Sequence, residues 1–193
     1  MDISCFMDDE SVAALCGQIG TKLGIAYTPS VNINLPRSSI RTGPLSLWTQ
    51  DKESGERRFL SIWMEHRETK PHLDYQLMTA RLGDAPQGIK YGLTKNGREG
   101  FLERQCSIRM GEYVPLTKVR IYSKSVGSGK GGKVDFDHAI ALFFSDGNVC
   151  VVSGSGQALA YLEIETTSAE ALDSLECLAV CTMRLECDER TLL

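Results

Sequence analysis

Between residues 45 and 166 apolar and polar side chains alternate with a period of two, broken at intervals by glycine, serine and aspartate, and that alternation predicts strands. Residues 45–50 and 57–65 flank a polar stretch and read as a hairpin. On its return strand Leu60, Ile62 and Met64 oppose Phe59 and Trp63, so both faces of this sheet ask for burial. Asn96-Gly97 supplies a turn between 89–94 and 99–110. Four further strands, 116–126, 133–144, 148–153 and 159–166, complete a meander. In the last of them Leu162 and Ile164 face one way and Glu163 and Glu165 the other, which leaves one sheet face in water. Residues 72–82 fit a strand or a helix, and periodicity does not choose between them.

The two ends follow a different rhythm. Val12, Leu15, Cys16, Ile19 and Leu23 recur at helical spacing behind acidic residues, with Gly24 as a stop. They predict an amphipathic helix over about 9–23, which Gly17 and Gly20 weaken. Thr167 and Glu170 have the spacing of a capping box ahead of Leu172, Leu175, Leu178, Ala179 and Thr182, which predicts a second helix over about 168–186. Residues 25–44, with Pro29, Pro36 and Pro44, read as a connector or an edge segment. No repeat or linker divides the chain, so 1–193 is expected to be a single α+β domain. Its sheet is a largely antiparallel meander flanked by an N-terminal and a C-terminal amphipathic helix.

Composition adds little to that picture until charge and cysteine are considered. The 193 residues are 42% hydrophobic and 24% charged, ordinary for a globular domain and far from the composition of disorder. The opening MDISCFMDDE lacks the basic start and apolar run of a signal peptide, and no run of roughly 18 apolar residues occurs, so no spanning helix is expected. The seven cysteines, Cys5, Cys16, Cys106, Cys150, Cys177, Cys181 and Cys187, form an odd set in a chain large enough to fold without bridges. They point to free thiols in a reducing compartment, hence to a cytoplasmic location.

Charge is unevenly spread. Residues 1–22 and 163–193 are net acidic, and the stretch between them is net basic. Between Glu112 and Asp135 there is no acid at all, while Lys118, Arg120, Lys124, Lys130 and Lys133 all fall there. On an extended strand Lys118, Arg120, Tyr122 and Lys124 share a face opposite Val119 and Ile121. This basic hairpin either meets phosphates or an acidic protein surface, with Tyr122 placed for stacking, or is an edge strand protected by lysines. Acidic ends and a basic middle also suit head-to-tail contact with a second copy.

Motifs for chemistry are weak. Residues 127–133 copy part of a phosphate-binding loop, but Val134 stands where a metal-holding hydroxyl belongs, and a strand pattern follows where a helix is needed. Asp135 and Asp137 share a strand face and suit a divalent cation, with His138 on the opposite face. His66, flanked by Glu65 and Glu68, and His72 are isolated acid/base candidates. Ser153 and Ser155 lack the glycine frame of a nucleophile elbow. Cys177 and Cys181, one helical turn apart, offer a metal only two of the four ligands that structural zinc takes, and read as core thiols. No cofactor is implied.

The reading that follows is a non-catalytic interaction protein acting through the basic hairpin and acidic terminal helices, with a protein partner or a second copy of itself. Viral assembly or matrix-type proteins, inhibitors and immunity proteins fit that class equally. One alternative is a nucleic-acid-binding protein using the same residues with Tyr122 and Tyr113, against which the acidic pI of about 5.4 counts. The other is a metal-assisted hydrolase using Asp135 and Asp137.

Overall fold

The computed structural model describes residues 2–34, 38–50, 55, 57–68, 74–127, 132–155 and 161–188. In chain order they form β1 (Asp2–Cys5), α1 (Asp9–Cys16), β2 (Lys22–Thr28), β3 (Val31–Asn34), β4 (Ser39–Thr42), β5 (Leu45–Gln50), β6 (Arg57–Glu68) and β7 (Asp74–Gly83). There follow β8 (Tyr91–Leu93), β9 (Glu99–Phe101), β10 (Cys106–Gly127), β11 (Lys133–Phe144), β12 (Asn148–Ser155), β13 (Tyr161–Ser168) and β14 (Cys181–Asp188). The expected α+β class is therefore overturned: the described residues are mostly strand, with α1 the one α-helix among them.

Twelve strands join in one sheet, in the order β3-β4-β13-β12-β11-β10-β2-β5-β6-β7, with β1 added to β11 and β14 added to β10. Its turning point is β10, which at 22 residues is long enough to serve two layers. Its first half pairs with β2, from Cys106 opposite Thr28 to Pro115 opposite Lys22. Its second half lies between β11 and β14. The sheet thus folds over on itself, with β7 against β11 and β6 against β13. Leu45, Leu47, Leu60, Ile62 and Met78 from one layer meet Ile121, Ile140, Leu142, Val152 and Leu162 from the other in a single buried core. This is the sandwich solution to alternating strands, each presenting its apolar parity to the partner layer. A smaller apolar cluster lies on the outer side of β10–β12, where Leu172 and Leu178 cover Tyr122, Ala139, Ala141, Phe143 and Val151.

Both helix expectations need correction. The N-terminal one is half its expected length: the Asp8 carboxylate accepts from Ser11 N at 2.8 Å as N-cap, and α1 ends at Cys16. Gly17 follows and Gly20 takes φ 82°, a conformation that glycine adopts without strain, so the chain turns there and Leu23 belongs to β2. The C-terminal helix does not form. Residues 169–180 are turns around a single 3-10 turn at Leu172–Ser174, and Cys181–Asp188 is a strand. The apolar excess of 177–183 is split instead of wound: Leu178 enters the outer cluster, while Val180 and Met183 stay in water. Helical periodicity loses here because the edge of β10 offers a full ladder of hydrogen bonds and opposite charge, and such tertiary gain routinely exceeds propensity.

Two links tie β14 down. Arg184 donates from Nε and Nη2 to the two oxygens of Asp137 at 2.6 and 2.7 Å, and Met7 N donates to the same fully buried carboxylate at 2.7 Å. Cys16, the last residue of α1, is disulfide-bonded to Cys187 across 171 residues, which corrects the expectation that all seven thiols are free. A crosslink closing so long a loop removes about 5 kcal/mol of denatured-state entropy in the chain-entropy picture. Under denaturing, non-reducing conditions the protein is expected to titrate as five free thiols, with the Cys16 and Cys187 peptides joined in mass spectra. Arg184→Met leaves the Asp137 charge buried alone and is expected to cost about 3 to 5 kcal/mol in urea unfolding.

Candidate binding cleft and the cationic strand

Of the basic residues singled out from sequence, Lys118, Arg120 and Lys124 lie on β10 and Lys133 on β11, and the charges of Lys118, Arg120 and Lys133 are already engaged. Glu186 of β14 reaches Arg120 Nε at 2.5 Å with one carboxylate oxygen and Lys118 Nζ at 3.5 Å with the other. The Arg120 hydrogen bond in particular holds the Glu186 carboxyl below the usual range. Both cations also lie over the Phe143 ring, at 5.6 Å for Lys118 and 4.9 Å for Arg120. Tyr122 is buried in the outer cluster, so it has no free face for a base. Lys133 pairs with Asp135 at 3.0 Å, Lys124 is half-buried, and Lys130 lies outside the described residues.

The other candidates separate rather than converge. Asp137 is consumed by Arg184 and Met7 N, while Asp135 accepts from Ser125 Oγ at 2.5 Å, so the two carboxylates face different partners. Among the described residues no three His, Cys, Asp or Glu side chains gather as a metal site requires. Gly127 sits opposite Lys133 across a hairpin, and β11 follows directly, so no helix N-terminus stands behind the phosphate-loop lookalike; 128–131 lie outside the described residues. His66 is exposed beside Asp74 at 3.5 Å, and His72 lies outside the described residues. Cys181 Sγ donates to the Cys177 carbonyl at 3.4 Å within a turn, and burial pushes the Cys177 thiol up to about 12, so neither behaves as a ready thiolate.

What sequence reasoning missed is a cleft on the outer face of β10, β2 and β5. It is lined by Gly24, Ile25, Trp48, Ser107, Arg109 and Tyr113 and has a volume of about 480 Å³, within the usual range for small-ligand sites. The register assembles it. Arg109 stands opposite Ile25, and Ala26 opposite Leu47 sets Ile25 beside Trp48. From Arg109 to Val114 β10 advances five residues while β2 advances only two, from Ile25 to Leu23. This bulge throws Tyr113 over β2, where its ring stacks with Trp48 at 5.6 Å and an interplanar angle of 26°. Gly24 makes room: a Cβ there would lie 3.1 Å from Tyr113 Cα and 3.2 Å from its ring. Tyr113 and Ile25 remain 43% and 40% exposed, an uncommon state for adjacent bulky side chains in a cleft.

The neighbouring aromatics are spoken for. Tyr27, Phe59, Tyr91 and Phe101 pack edge to face or tilted at 4.6–6.4 Å, with the β8–β9 hairpin laid over the strands. Trp63 donates to Glu65 at 3.1 Å elsewhere on β6. Tyr113, exposed, and Trp48, half-buried beneath it, are the aromatic pair that lines the cleft. Comparison with protein-family models, with curated proteins and with solved structures yields no match to this chain. Fold and cleft define its class: a largely antiparallel β-sandwich carrying an aromatic recess on one outer face. No helix among the described residues is long and apolar enough to cross a membrane.

His138 is the extra residue where β11 slips register between Ala139 and Asp137, and its Nδ1 has no partner among the described residues. Burial, with a smaller push from Lys124, pulls its imidazole down to about 4. The unfolded chain therefore takes up a proton near pH 6.5 that the native one refuses until about pH 4, so stability falls as pH drops through that window. The loss is expected to approach about 3 kcal/mol, and in urea unfolding at stepped pH it should vanish in His138→Leu.

Proposed function

We propose that this chain is a non-catalytic interaction protein whose recognition surface is the Trp48–Tyr113 cleft, and that it receives a flat ring there. The observation that carries this reading is the stack of an exposed Tyr113 on a half-buried Trp48 at the mouth of the cleft. A bulge in β10 and a glycine at position 24 hold a tyrosine ring in place over a neighbouring strand, against the usual tendency of a sheet to bury such area. An aromatic platform of this kind recognises planar or ring-shaped groups by stacking, without the convergent acid, base and nucleophile that catalysis requires.

The basic strand supports the interaction reading less directly. Its two strongest cations answer the acidity of the chain's own C-terminal strand, so the cleft stands as the more open surface. Ser107 and Arg109 on the cleft wall add polar character suited to a ring that carries a charged or hydroxylated group. A nucleotide is the ring ligand that would use both stacking and Arg109, and a disaccharide is one that would use stacking and Ser107. Enzyme chemistry on Asp135 and Asp137 has no support in how those two side chains are placed.

The test is tryptophan fluorescence in a Trp63→Phe background, where Trp48 is the sole reporter. Titration with adenosine monophosphate and, separately, with cellobiose is expected to give saturable quenching by one of them. Tyr113→Ala should weaken that binding roughly tenfold or more, as loss of one stacking partner does. Gly24→Val should weaken it as well by displacing the Tyr113 ring. A flat response to both probes up to millimolar concentration would discard the proposal.

A further inference from the structure

Nothing in the cleft accounts for the way the C-terminal strand is held. β14 joins the sheet through one edge, that of β10, and carries an acidic residue into a run of the sequence rich in bases and free of acids. Glu186 faces Arg120 in the ladder and Asp188 faces Lys118. Phe143 backs both cations, so the edge of β10 is a built receptor for an extended acidic chain, with paired main-chain groups for affinity and two cations for selection.

The anchoring of β14 divides it in two. Arg184, gripped by Asp137, fixes its first half without any covalent bond. Beyond Arg184 only four pairings remain, from Ile121 opposite Leu185 to Lys118 opposite Asp188, together with the Cys16–Cys187 bond. That second half is the part that covers Lys118 and Arg120.

We propose that the β10 edge bearing Lys118 and Arg120 is a docking site for an acidic strand, that the end of β14 fills it within the chain, and that the Cys16–Cys187 disulfide determines whether the end of a second copy's β14 can take the place of residues 185–188. A dithiol reductant delivers two electrons and two protons to that bond, is itself oxidised to a disulfide, and leaves Cys16 and Cys187 as thiols. Without the bond, residues 185–188 fray from the sheet and the two cations face solvent. The occupant that fits is another copy's β14, because it repeats the same register and the same carboxylates. Both sulfurs belong to residues less than a tenth exposed, so reduction is slow and a Cys187→Ser variant supplies the open state directly.

Hydrogen exchange at 185–188 reads the first step. Amide protection there is expected to fall at least tenfold in Cys187→Ser, and in the wild-type chain after prolonged incubation with dithiothreitol, while α1 and β12 keep theirs. The second step is read with a fluorescein-labelled peptide of residues 185–188 with Cys187→Ser, which spans only the vacated pairings and cannot form a disulfide with Cys16. It should bind Cys187→Ser and the reduced chain but not the oxidised one, and Lys118→Ala/Arg120→Ala in the Cys187→Ser background should weaken capture at least tenfold. Protection that is unchanged by both reduction and Cys187→Ser would overturn the proposal. So would equal capture of a scrambled peptide of the same composition, since net charge alone would then explain binding. Trp48→Ala is expected to leave both readouts unchanged, which separates this site from the cleft.

Discussion

The architecture depends on one strand being shared. β10 is long enough to pair with β2 over its first half and with β11 and β14 over its second, and this continuity turns twelve strands into two facing layers with a common core. Each half imposes a different duty. The first half must bulge between Arg109 and Val114 to cross from one layer toward the other, and that irregularity creates the cleft around Tyr113. The second half must find partners for both edges, and it recruits the end of the chain to do so.

Electrostatics and topology are therefore the same event at the C-terminal strand. The acidic tail and the basic middle of the sequence looked like two poles available to a partner. In the folded chain Glu186 joins Lys118 and Arg120, and Arg184 crosses back to Asp137, so much of that polarity is consumed internally. Pairs of this kind add modest stability for their number but strong discrimination against a misplaced strand, because a shifted register would bury Asp137 without its guanidinium.

Much of the strand pattern was legible from residue order. The hairpin of 45–50 and 57–65, and the segments 116–126, 133–144 and 148–153, correspond to β5, β6, β10, β11 and β12, because period-two alternation is a local property that survives folding. The stretch 72–82 that fitted either state is strand β7 from Asp74 onward. The helix over 168–186 was misread since its apolar spacing also satisfies a turn that buries Leu178 and a strand that buries Cys187. The choice between them rests on an edge sixty residues or so away, which no window of local sequence contains. The cleft was hidden for the same reason: Gly24, Trp48, Arg109 and Tyr113 become neighbours only through register. Gly24 and Tyr113 were visible separately, one as a helix stop and the other among the residues of the nucleic-acid-binding alternative, with no signal to join them.

The slips in register on either side of Tyr122 have a further effect. His138 is the extra residue on β11, Arg184 the extra residue on β14, and both fall at the same level of β10. A strand carrying such an insertion is twisted out of the plane that an incoming flat ladder would need, and the inserted residue here is a charged one. The outer margin of β14 is thus poorly suited to growth by stacking of further chains, so the molecule guards itself against fibrillar assembly at the very border where its last strand is laid down.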